Sequence, residues 1–119
     1  MLESADIVTQ DLMALTMIGS VYVLNGKMYR VCAGSTSAVK VAAVKALNQM
    51  RIKVASIAKD SGQDVILAMS GERNVEVRVE AIDLQSTRMR ISARQGELDD
   101  VRTATEVIAQ TERLLAEPA

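Results

Sequence analysis

The chain has no histidine, no tryptophan and no phenylalanine, and carries one cysteine and one proline among 119 residues. Without histidine the usual general base near neutral pH is missing, and no His/Cys cluster exists to hold zinc. One thiol cannot form an internal disulfide, so cysteine usage leaves the redox compartment open. Two tyrosines are the only aromatics, too few for the stacking platforms on which single-strand binders rely. The net charge is −1, which removes any whole-chain attraction to nucleic acid or to an acidic membrane surface. No apolar run reaches the roughly 18–20 residues that span a bilayer. The opening stretch "MLESADIVTQDLMALTMIGS" also lacks a basic region followed by an apolar one, so no intact signal peptide is expected. Membrane association is expected only through lipidation upstream of Met1.

What is present is aliphatic. Apolar residues make up 49% of the chain, mostly Val, Ala, Ile, Leu and Met, enough for one continuous core. The seven methionines can fill irregular gaps that aromatics would otherwise occupy.

Residues 1–20 read as an N-terminal arm or a short helix. Ser4 or Asp6 would cap the helix, with Val8, Leu12 and Leu15 on one stripe. Next, "VYVLNGKMYRV" has the Asn25-Gly26 pair that tolerates positive φ in a two-residue hairpin turn. That turn sets Leu24 against Lys27, Val23 against Met28, and Tyr22 against Tyr29. The tyrosine pair is a cross-strand contact that protects the hairpin, or alternatively a platform for a ligand.

"GSTSAVKVAAVKALNQM" reads as a helix capped by Ser35 or Thr36. Val39, Ala42, Ala43, Ala46, Leu47 and Met50 form its core stripe. Val41 and Val44 fall toward the other side, which calls for a cover: the arm, the hairpin or another subunit. Strands are then expected over Ile52–Ala58, Asp64–Ser70 and Val75–Ile82, with "TRMRISARQ" continuing the series. Val75, Val77, Val79 and Ala81 alternate with Glu76, Arg78 and Glu80, the mark of a sheet with one solvated face. A last helix is expected from about Glu97 to Leu115. Its stripe would be Leu98, Val101, Ala104, Ile108, Thr111 and Leu115, with Glu97, Asp99 and Asp100 in its first turn.

The economical assembly is a single α+β domain over residues 21–117. It is a two-layer sandwich, an antiparallel sheet with two helices on one face, in the order β-hairpin, α, β, β, β, α.

Arg88, Arg90 and Arg94 raise the question of an anionic partner. Two hairpin registers keep odd residues inward. One opposes Arg78 to Arg90. The other opposes Glu80 to Arg90 and Glu76 to Arg94, two opposite-charge pairs worth about 0.2–1 kcal/mol each. The second is expected, with Asp83–Thr87 as its loop and Arg88 left without a partner. With glutamates interleaved and no aromatic nearby, nucleic acid is not an expected partner. Cys32 lies in a strand without a histidine partner, so it reads as a buried structural thiol. Asp60 and Asp64 flank a turn, and Asp99 and Asp100 begin a helix; ordinary turn and helix-start chemistry accounts for both pairs. No catalytic residue, cofactor or metal site is expected.

Several stretches carry a family resemblance: "YVLNG", "STSAVKVAAVKALNQMRIKV", "KDSGQDVILAMSGERNVEVRVE" and "STRMRISARQGELDD". From Tyr22 onward the chain resembles a domain-of-unknown-function family of small bacterial proteins, many of them envelope lipoproteins. It differs from that pattern in having no Trp or Phe in the first helix and no lipobox around Cys32. The resemblance implies a fold, and a periplasmic or envelope-associated place, with the cytoplasm as the alternative. The expected function is structural or protein-interacting, with an unidentified protein partner or a second copy of the chain. A small-ligand or anion-binding module is the alternative, and a hydrolase acting through carboxylates alone comes third. The candidate interaction residues are Tyr22, Tyr29, Val41, Val44 and Arg88.

Overall fold

A computed structural model describes residues 21–24 and 26–117. The expectation for residues 1–20, and the part of Asn25 in the hairpin turn, lie outside the described residues. The elements are β1 (Val21–Leu24), β2 (Lys27–Ala33), α1 (Thr36–Gln49), β3 (Lys53–Asp60), β4 (Gln63–Ser70), β5 (Arg73–Asp83), β6 (Ser86–Gln95), β7 (Leu98–Asp99) and α2 (Val101–Ala116). They form the expected α+β two-layer sandwich. The seven-stranded antiparallel sheet runs β1-β2-β6-β5-β4-β3, with β7 paired to β6, and among the described residues two helices lie on it.

The β1–β2 hairpin has the register its Asn-Gly pair dictates, with Tyr22 opposite Tyr29 and Leu24 opposite Lys27. Gly26 sits at φ +76, and a Cβ there would lie 3.0 Å from Asp99 Oδ2. The left-handed backbone is what favours glycine here, since the exposed Asp99 carboxylate could shift to admit a Cβ. The β3–β4 turn uses the same chemistry, with Ser61 at φ 54 and Gly62 at φ 80.

Ser35 starts α1, its Oγ accepting from the Ala38 N–H at 3.1 Å. The helix ends in a Schellman motif built on Arg51, at φ 61. The Ile52 N–H donates to the Leu47 carbonyl at 2.9 Å, and the Arg51 N–H to that of Asn48 at 3.0 Å. Ile52 and Leu47, brought together by this turn, are both fully buried.

The core lies between the helices and one face of the sheet. Val39, Ala43 and Leu47 of α1 and Ala104, Val107 and Ile108 of α2 meet Ile66, Val77, Met89 and Ile91. Alternation in β5 and β6 is as periodicity requires, with Val75, Val77, Val79, Met89, Ile91 and Ala93 buried. Met50 is only partly buried.

Two expectations need correction. The last helix starts at Val101 and not near Glu97. Gly96, at φ +61, folds the chain back so that Leu98 pairs with Gln95 and Asp99 with Arg94. Leu98 and Val101 are therefore exposed, and Thr103 and Val107 take the inward places. Asp100 becomes the N-cap. Its carboxylate accepts from the Thr103 N–H at 3.1 Å and from the Thr103 hydroxyl at 2.6 Å.

These two hydrogen bonds, helped by Arg73 and Arg102, hold the Asp100 carboxyl below its ordinary range. Asp100→Ala is expected to cost about 1 kcal/mol at neutral pH. Because the folded pKa is depressed, this stabilisation is present above the unfolded value and fades as pH falls through the folded one. Urea unfolding of both proteins at pH 7 and pH 3 checks it: the gap should narrow in acid.

The second correction concerns the β5–β6 register. Glu80 faces Arg88, Arg78 faces Arg90, Glu76 faces Ser92, and Asn74 faces Arg94. This is the register with the arginines opposed. A tight turn at Leu84-Gln85 replaces the longer loop, with Asp83 Oδ1 accepting from the Gln85 N–H at 2.8 Å. A bulge between Ala81 and Asp83 completes it. The Gly34 N–H donates to the Gln85 carbonyl at 2.7 Å, and the Thr87 hydroxyl donates to the Gly34 carbonyl at 2.9 Å. Turn geometry and these backbone bonds outweigh two exposed charge pairs of about 0.2–1 kcal/mol each.

Candidate functional site

Among the described residues, no helix covers the second face of the sheet. Tyr29 on β2, Arg88 and Arg90 on β6, and Arg78 and Glu76 on β5 share it by register. Val65, Leu67 and Met69 on β4 extend it toward the β3 edge. Leu67 and Met69 are 43% and 50% exposed. Val31 and Val65, on this same side of the ladder, are buried.

A depression of about 160 Å³ opens in the middle of this face. Arg78, Arg88 and Arg90 line it, with Tyr29 and Leu24 on the hairpin side and Gln63 and Glu80 beyond. Arg88 is not left over, as the other register would have it. Its Nη2 lies 2.6 Å from Glu80 Oε1. Arg78 avoids the arginine opposite by turning along its own strand to Glu76, and across to Asp60 at 3.0 Å and Gln63 at 3.1 Å. The bonds to Glu76 and Asp60 raise its pKa further above the ordinary arginine value. Arg90 reaches the same Glu76 oxygen at 3.9 Å. Arg94 turns away to Asp99 at 3.2 Å and to the Glu97 carbonyl.

The structure thus brings together two sequence-predicted candidates, Tyr29 and Arg88. It also adds Arg90, which charge matching pairs with Glu80, and Arg78, which the expected register sets against Ser92. The backbone of Tyr22 adjoins Tyr29 across the hairpin.

No family model matches this chain, and no curated protein matches it.

The other candidates lie elsewhere. Val41, 50% exposed, borders a groove of about 520 Å³ between the first half of α1 and the end of α2, where Leu114 and Leu115 lie. Val44 does not share this surface, because it packs against the core. Asp60 and Asp64 diverge. Asp60 is bound to Arg78 on the open face, while Asp64 is buried on the helix side, 3.3 Å from Lys59 Nζ and 4.0 Å from Lys40 Nζ. Glu72 and Glu97, which with Asp60 and Asp64 are the carboxylates a carboxylate-only hydrolase would draw on, lie at the far end of β4 from the β3–β4 turn, Glu72 between β4 and β5 and Glu97 before β7. Among the described residues, no three Cys, Asp or Glu side chains converge on a point where a metal could sit. No described helix is long and apolar enough to cross a membrane.

Cys32 is fully buried, its thiol 3.5 Å from Met89 Sδ. Burial, followed by the charge of Glu112 and a hydrogen bond to it, pushes the thiol up to about 12. Glu112 is itself paired with Arg30. A thiol held neutral and out of reach of solvent is a packing residue, as its strand position predicts.

Proposed function

We propose that this is a non-catalytic, envelope-associated domain that works by protein–protein contact, with the open face of its sheet as the contact surface. One observation carries the reading: among the described residues no helix lies on the second face of the sheet, and although Val31 and Val65 on it are buried, it presents exposed Leu67 and Met69 beside the Tyr29 and arginine cluster. Aromatic, methionine and arginine side chains are the types enriched in protein interfaces. The absence of histidine supports the non-catalytic part, and the family resemblance supports the place in the envelope. Self-association belongs to the same reading, with a second copy as the partner.

Photo-crosslinking amino acids placed at Leu67, at Met69 and, as a control, at exposed Arg102 on α2 test the surface in cells. Discrete adducts are expected from the two sheet positions and not from the helix position. Equal patterns from all three, or none, would overturn the reading. Fractionation of the same cells should place the adducts with the envelope.

The alternative is a small-ligand or anion-binding module. It draws on the arginine-lined depression, and titration with inorganic phosphate followed through backbone amide shifts tests it.

A further inference from the structure

The depression on the open face has an unequal distribution of charge. Arg88 has Glu80 at 2.6 Å. Arg78 holds Glu76, Asp60 and Gln63. Arg90 stands directly opposite Arg78 in the ladder, a like-charge placement that disfavours both. Among the described residues its one ion pair is to Glu76, at 3.9 Å, and that oxygen already accepts from Arg78. Arg90 therefore presents a planar fork of donors with only a distant, shared carboxylate to fill it. A guanidinium fork matches a carboxylate through two parallel hydrogen bonds.

Size and surroundings narrow the occupant. A volume of about 160 Å³ falls below the roughly 300–1,000 Å³ of sites that enclose a drug-sized ligand. It suits a single side chain inserted from a partner. Tyr29 lies across the ladder from Arg90, and Leu24 lines the same depression. Leu67 and Met69 continue the face with exposed apolar surface. Three arginines meet three carboxylates here, Glu76, Asp60 and Glu80, so it is the poorly filled Arg90 fork with apolar surface beside it, and not a net positive charge, that complements an acidic residue set among apolar ones.

We propose that Arg90 seats the carboxylate of a glutamate or aspartate in an acidic peptide segment of the partner, with Tyr29 and Leu24 against its stem. This rests on the open face being the contact surface.

The probe is the peptide acetyl-Ala-Leu-Glu-Leu-Ala-amide, compared with its Gln counterpart and with inorganic phosphate. Nitrogen–proton spectra of the protein report the Arg90 Nε–H and the Tyr29 amide. Saturable shifts of both with the Glu peptide, and none with the Gln peptide, are expected. Arg90→Gln should weaken the response roughly tenfold or more, while Arg113→Gln, on exposed α2, leaves it intact. Arg90→Gln should also melt at or above the parent temperature, because it removes the charge opposed to Arg78. A lower melting temperature would mark Arg90 as a structural residue and overturn the proposal. So would equal shifts from the two peptides, shifts from phosphate alone, or none at all. If adducts from Leu67 and Met69 persist when the peptide arm fails, the carboxylate seat is wrong and the contact surface stands; loss of both removes both.

Discussion

Replacing Leu47 by alanine is expected to destabilise the domain by about 2–5 kcal/mol, the range for a buried leucine truncated in a close-packed core. Leu47 is fully buried in the cluster that joins both helices to the sheet. Its carbonyl also accepts the Ile52 N–H that closes α1, so the lost side chain sits where the helix end and the first core strands are tied together. In a protein without Phe or Trp, no large ring stands nearby to slump into the space. Domains of this size are stable by about 5–15 kcal/mol, so the substitution removes a large fraction of the total. Urea unfolding should show a midpoint lower by about 1 M or more, with little change in slope. Val41→Ala is the comparison. Val41 is half exposed, and a surface truncation of this kind stays within about 0.5 kcal/mol. Equal midpoints for the two variants would mean that α1 is wrongly rotated on the sheet.

The second large effect is a loss of stability in alkali that traces to Cys32. In the fold its thiol is pushed from an ordinary 9.0 to about 12, chiefly by burial. Below pH 9 the thiol is protonated in both the folded and the unfolded chain, and the stability it contributes is fully present. Between pH 9 and about 12 the unfolded chain releases a proton that the native state keeps, so stability falls as pH rises. The slope is about 1.4 kcal/mol per pH unit and the whole window amounts to about 4 kcal/mol. Tyrosine and lysine side chains titrate in the same range, so the measurement is a difference. Urea unfolding at pH 8, 9, 10 and 10.5 is compared between the parent and Cys32→Ala. The variant starts lower, because it loses the contact with Met89, but its decline should be shallower. Parallel declines would show that Cys32 reaches solvent as a thiolate.

Local chemistry made much of the fold legible. The Asn-Gly pair placed the first hairpin and its register. The Ser35-Thr36 pair marked the start of α1, and Ser35 is the cap. The alternating valines of β5 and the odd-numbered residues of β6 announced which side faces the helices. Each of these depends on a residue and its near neighbours, where turn residues, caps and periodicity act. Glu97, Asp99 and Asp100 resemble an acidic first turn, so the sequence pattern sets the start of α2 too early. In the structure Asp99 pairs Arg94 in a two-residue strand, and only Asp100 caps the helix.

The candidate site was less legible. Tyr29 is legible as one of two aromatics, whereas Arg88 stands out only in a register that leaves it without a partner, and the structure pairs it with Glu80. Arg90, the residue on which the proposed carboxylate seat depends, was assigned to Glu80. No local pattern distinguishes the two registers, because a slip of two residues leaves every side chain on its own face.

The amino-acid sequence by itself determined the layers: which residues are strand or helix, and which face of each is apolar, since periodicity and turn chemistry act over a few residues. Tertiary structure alone decided which charges meet. The Leu84-Gln85 turn and its bond to Gly34 set how β6 lies along β5. That register opposes Arg78 to Arg90 and brings the arginines beside Tyr29. Backbone bonds closing a turn against a distant loop outweigh exposed side-chain pairs, so the charge pattern follows the fold and does not direct it.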